Sequence, residues 1–171
     1  MNFFSLQNYS DIKTEHMPID YLIQLIYLAD RMHLRKYGRL ISDDMIIEVN
    51  YGTIAQSIRD LRAAKLAFGI PVNAPCDADQ FSETDRMCMA KVWKYYGHYT
   101  ESQLDDIVMS FPECMGMMLS SRCPHDWEKL KLFDCFVPIG FDDFNAVSDR
   151  LLQSSLEQFK ESIEFNKFFR N

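Results

Sequence analysis

The chain has 171 residues, 47% apolar and 25% charged, the balance of a globular protein long enough to bury a core without disulfide or metal staples. A formal net charge of −7 argues against general affinity for nucleic acid, which rests on Lys and Arg neutralising phosphates, and no apolar run approaches the ~20 residues that span a bilayer. The opening residues, Met1 to Gln7, lack the basic and apolar regions of a secretory signal. The five cysteines are odd in number, form no CxxC pair and read as reduced thiols, so a cytoplasmic protein is expected.

Residues 1–16 carry scattered apolar residues without a period and read as an arm or a short helix. Residues 18–37 are different. Leu22, Leu25, Ile26, Ala29 and Met32 recur at helical spacing and mark one face of an α-helix. Pro18 suits its first turn and Gly38 its left-handed end. Arg31, His33, Arg35 and Lys36 fall in its last turns, where cations complement the dipole. Next, Leu40-Ile41 reads as a short strand, Ser42-Asp43-Asp44 as a turn, and Ile46 to Asn50 as a second strand with Ile47, Val49 and Tyr51 on one side. Thr53 is a fair N-cap for a helix to about Lys65, with Ile54, Ile58 and Leu61 on its inner face. Gly69 to Gln80, with Pro71, Pro75, Asp77 and Asp79, reads as a loop.

Ser82 and Asp85 form a variant capping box that opens a helix ended by Gly97, with Met89, Trp93 and Tyr96 on one face. Thr100 and Gln103 form a standard capping box, and Tyr99 and Leu104 have staple spacing, for a helix to about Phe111. Between Pro112 and Pro138 the pattern is weak; Met115–Leu119 and Trp127–Phe133 read as short helices around a Cys123-Pro124-His125 turn. Asp142 or Asp143 is the expected cap of a terminal helix, on which Leu152, Leu156, Phe159 and Ile163 form an amphipathic stripe. The expected fold is mainly α: a compact helical domain with a small two- or three-stranded β-hairpin insertion.

Chemistry is sparse. GxGxxG, GxxxxGK, GxSxG and HExxH are absent. Cys114, Cys123, His125 and Cys135 are zinc-ligand types in one region, but structural zinc sites pair ligands with about two to five residues between them, and here the gaps are eight, one and nine residues. No motif activates a Cys–His nucleophile; Asp30, Asp43, Asp44 and Glu48 flank the hairpin and could in principle do acid–base work, but Asp43-Asp44 in a polar turn is better read as turn chemistry. No catalytic residue, metal ligand or cofactor is therefore expected. The basic run Arg31, Arg35, Lys36, Arg39 has two readings: dipole complementarity with ion pairs to Asp30, Asp43 or Asp44, or a docking patch for an acidic surface or a phosphate backbone.

The run from Tyr27 to Arg39, which reads YLADRMHLRKYGR, followed by the Ser42-Asp43-Asp44 turn and by Tyr51-Gly52, resembles the Panacea antitoxin domain of SocA-type antitoxins and GepA-like phage-associated proteins. The segment from Met89 to Leu104 resembles a second family block in the same order, so the likeness covers about residues 18–111, with a divergent helical extension at 112–171 in one domain of 1–171. It departs at Thr53, where the family carries Pro, and in the residues of the 42–45 turn. The resemblance implies a non-enzymatic, protein-binding module that neutralises a toxin encoded by an adjacent gene. The other reading it carries is an adaptor or mobile-element regulator that engages a cytosolic protease or its substrate. Arg31, His33, Arg35, Lys36 and Arg39 are then the candidate partner-binding residues, and Asp30, Tyr37, Gly38, Asp43, Asp44, Tyr51 and Gly52 the structural motif.

Overall fold

A computed structural model describes residues 16–42, 70–71, 77–114, 132–138 and 146–169. Four helices organise them: α1 (Ile19–Tyr37), α2 (Glu83–Tyr96), α3 (Glu101–Met109) and α4 (Asp149–Phe169). Two 3-10 turns, Ala78–Gln80 and Leu132–Phe136, join them. The two short strands β1 (His16–Met17) and β2 (Ile70–Pro71) pair antiparallel, His16 opposite Pro71 and Met17 opposite Ile70.

The described residues are mainly helical, and α2, α3 and α4 each pack chiefly on α1. Helix α1 is therefore enclosed. Leu22, Leu25, Ala29 and Met32 of the expected stripe are buried and Ile26 half-buried, but Leu28, Leu34 and Tyr21 on other sides are buried too. One apolar cluster joins Leu22, Leu25, Leu28 and Met32 to Cys88, Met89 and Val92 of α2 and to Leu104 and Val108 of α3. A second joins Leu34 to Cys135 and Phe136 and to Leu152, Phe159 and Ile163 of α4. Burial of this kind stabilises by roughly 1.5–3 kcal/mol per large apolar side chain before entropy is counted.

Local signals explain the helix ends. Pro18 stands at the N-cap, and its carbonyl accepts the first helical bond, from Leu22 N, at 3.1 Å. At the other end Gly38 has φ 67°, and its N–H donates to Leu34 O at 2.9 Å. A Cβ at Gly38 would lie 2.6 Å from Ser155 O and 2.7 Å from Gln158 Cβ on α4, so this glycine serves both the turn and the helix crossing. Both capping boxes form, Ser82 with Asp85 and Thr100 with Gln103, and α2 stops at Gly97.

Several expectations change. Helix α3 ends at Met109 instead of Phe111. Helix α4 starts at Asp149: Ser148 accepts from Leu151 N at 3.4 Å, so Ser148, not Asp142 or Asp143, stands at its start. The 69–80 stretch contains β2 and a 3-10 turn. Leu40 and Ile41 are not in a strand. The rest of the expected hairpin, Tyr51-Gly52, the 53–65 helix, the 115–119 helix, Cys123, His125, Asp142 and Asp143 lie outside the described residues.

Candidate partner-binding site

The polar residues of α1 occupy positions that a helix enclosed on all sides must bury. Each buried polar group needs a partner, or it costs on the order of 1–3 kcal/mol. Asp30 is buried; its Oδ1 accepts from Ile41 N at 2.7 Å and Ser42 N at 3.0 Å, and its Oδ2 from Ser42 Oγ at 2.6 Å. It thus ties the chain that leaves Gly38 back onto the helix. Burial pushes its carboxyl up, and the bonds from Ser42 and Ile41 only partly offset that.

At the next position, Arg31 Nε donates to Glu113 Oε1 at 2.5 Å, and the guanidinium lies 3.7 Å from the centre of the Phe111 ring. Tyr27 Oη donates to the same Oε1 at 2.6 Å. Burial pushes Glu113 up, but the Arg31 charge and the bonds from Arg31 and Tyr27 outweigh it and hold the carboxyl below its ordinary value. Arg31 Nη1 and Gln24 Oε1 are buried with no hydrogen-bond partner among the described residues.

His33 is buried between α1 and α2. Its Nδ1 lies 2.9 Å from Arg39 O, and its Nε2 lies 3.1 Å from both Thr84 Oγ1 and Asp85 Oδ1. Burial lowers its pKa, and the Asp85 charge opposes this without reversing it. The neutral ring fits: Nδ1–H donates to the carbonyl and Nε2 accepts from the Thr84 hydroxyl. Arg35 is buried as well. Its Nη1 donates to the carbonyls of Cys135 and, at 3.0 Å, of Val137, and so holds the 132–138 segment against α1.

Three of the five expected partner-binding residues, Arg31, His33 and Arg35, are buried in this fold. Among the described residues Arg31 bonds Glu113, His33 lies against Thr84 and Asp85, and Arg35 bonds backbone carbonyls, while Asp43 and Asp44 lie outside the described residues. Arg39 remains at the surface with 47% of its side chain exposed, bonded to Asp85 Oδ1 at 2.8 Å and Ser82 Oγ at 3.0 Å. Lys36 is half-buried, its Nζ 5.6 Å from the Tyr37 ring, and Tyr37 stacks on His33 at 4.6 Å. Glu113 gave no sequence signal because the Phe111-Pro112-Glu113-Cys114 run has no period; Asp85 was legible as a cap.

The described cysteines Cys88, Cys114 and Cys135 are buried. Burial pushes Cys88 up to about 11 and Cys114 up to about 12, the reverse of an activated nucleophile. Among the described residues no group of three or more His, Cys, Asp or Glu could hold a metal ion, and no helix is long and apolar enough to cross a membrane.

What these side chains build is a helical scaffold, with the motif of α1 locking one neighbouring segment after another onto it. The chain belongs to the SocA-like antitoxin family: the family model described as Antitoxin SocA-like, Panacea domain, matches residues 22–113. The match takes in both Arg31 and Glu113, and it runs through α1, α2 and α3. No curated protein and no solved structure matches the chain. Membership supports an antitoxin-type role, regulatory rather than catalytic, and a protein partner such as a toxin.

Proposed function

We propose that the chain neutralises a protein toxin encoded by an adjacent gene, through direct non-covalent binding in the cytoplasm, as one domain of 1–171. The family match over residues 22–113 is the observation that carries this reading. The buried polar groups Arg31, Glu113, His33 and Arg35 serve the scaffold in this reading and leave recognition to the surface. Masking needs affinity alone: with free antitoxin at ~100 times Kd, about one toxin molecule in a hundred stays unbound. The motif residues, including Lys36 and Arg39 at the surface and Asp43, Asp44, Tyr51 and Gly52, then either present or support the docking face.

Co-expression tests it. The neighbouring gene product arrests growth when expressed alone, growth returns when this chain is co-expressed, and the two proteins co-purify at a fixed ratio. A neighbour that is harmless alone, or that stays toxic and unbound, contradicts the reading. Rescue accompanied by protease-dependent loss of the neighbour identifies an adaptor instead.

A further inference from the structure

We infer that the outward face of α2, together with the exposed end of the α1 motif, is the docking surface, and that it takes an acidic protein surface. Its cations are Arg86, Lys91 and Lys94 on α2 and Lys36 and Arg39 beside them. This deepens the toxin-binding reading and rests on it.

Helix α2 buries Asp85, Cys88, Met89, Val92 and Tyr96 against the scaffold. The opposite side carries Met87, Lys91, Lys94 and Tyr95 at i, i+4, i+7 and i+8, with Arg86 next to them. Met87 is 36% exposed and Tyr95 50% exposed, so apolar and aromatic contact area stands among the cations. Arg, Met and Tyr in one patch is the composition of protein interfaces, and Glu83 is the one carboxylate on the exposed side of this helix.

Two further observations mark the patch. First, among the described residues Arg31 pairs with Glu113 and Arg39 with Asp85, whereas Arg86, Lys91, Lys94 and Lys36 form no such ion pair. Second, charge is segregated. Helix α3 carries Glu101, Asp105 and Asp106 with no cation, while on the α2 side the exposed Asp77, Asp79 and Glu83 gather at the N-terminal end and the cations Lys91 and Lys94 lie towards the C-terminal end, in a chain of net charge −7. The patch also joins the two helices: Arg39, just beyond α1, reaches Asp85 Oδ1 at 2.8 Å and Ser82 Oγ at 3.0 Å at the start of α2. Charge complementarity of this kind steers encounter and rejects basic partners. A nucleic acid is the poorer occupant, because a polyanion extending past the patch meets the acidic remainder of the chain.

The test uses the full chain and the purified product of the adjacent gene. In the triple variant Arg86→Glu, Lys91→Glu, Lys94→Glu, binding measured by calorimetry weakens by roughly 10- to 100-fold and toxin rescue in cells fails. Wild-type binding weakens steeply with salt, and reversal of Glu157 and Glu161 on α4 to Lys leaves binding intact. Circular dichroism checks the fold. Should the triple variant not fold, the neutral pair Lys91→Gln, Lys94→Gln replaces it, with a loss of about 3- to 10-fold expected. Unchanged affinity in a folded variant overturns the surface and leaves the toxin-binding reading standing. Failure of the wild-type chain to bind the neighbour overturns both. Binding of a 24-base-pair DNA duplex that the same substitutions abolish assigns the patch to nucleic acid and overturns the inference.

Discussion

Arg31 and Glu113 meet as a fully buried ion pair, 2.5 Å from Nε to Oε1, that fastens the start of the chain beyond α3 to the middle of α1. Removing one partner leaves an uncompensated charge in the interior. Glu113→Gln is expected to lower unfolding free energy by about 3–5 kcal/mol, while Arg31→Met combined with Glu113→Gln recovers part of that loss. Urea denaturation of the two variants and the wild type checks the order.

Gly38 is held by two independent demands, its φ of 67° and the 2.6 Å approach of Ser155 O to where a Cβ would stand. Gly38→Ala pays the left-handed penalty and pushes α4 off α1, a combined cost of about 2–4 kcal/mol. Thermal unfolding should show it as a drop of several degrees or more, larger than that of an Ala substitution at the exposed Gln153.

Stability should fall on acidification. Burial lowers the His33 pKa, so the unfolded chain takes up the proton first and stability declines as pH drops below about 6.5 towards the folded value. Burial raises Asp85, but its bonds from Ser82 and the charge of Arg39 hold it lower, and Glu113 is likewise held down by Arg31 against burial. Their contributions are present above the ordinary carboxylate range and are lost as pH falls through it. Asp30, raised by burial, works in the opposite sense and loses stability as pH rises through its range. His33→Gln should flatten the limb just below pH 6.5 and leave the carboxylate limb in place, as read by denaturation across pH.

Arg35 bonds two carbonyls of the 132–138 segment. Arg35→Ala strips charged donors from both and should cost about 2–4 kcal/mol. Hydrogen exchange should rise first in 132–138 and along the α4 residues that pack with it, Leu152 and Phe159.

Much of the framework was legible because it is local. The Ser82–Asp85 and Thr100–Gln103 boxes, the Gly38 stop and the 152–163 stripe are each decided within about a turn or two of helix. The start of α4 was misjudged because Asp142, Asp143 and Ser148 are all acceptable caps by residue type, and the bond from Leu151 N goes to Ser148 Oγ. The fate of the basic run was not legible for a different reason. Arg31 finds its partner 82 residues away and Arg35 its carbonyl 100 residues away, in stretches without hydrophobic period. Cations in the last turns of a helix look alike on paper, whether they face water or a buried carboxylate.

Neutralisation by occupancy predicts a fixed stoichiometry between toxin and chain. Purified toxin is titrated with the full chain while its activity is followed, and both proteins are then weighed intact by mass spectrometry. The expected result is a linear loss of activity to a fixed molar ratio, with both masses unchanged. Inhibition by a small fraction of an equivalent, a change in the toxin's mass, or full activity in the presence of excess chain would contradict it.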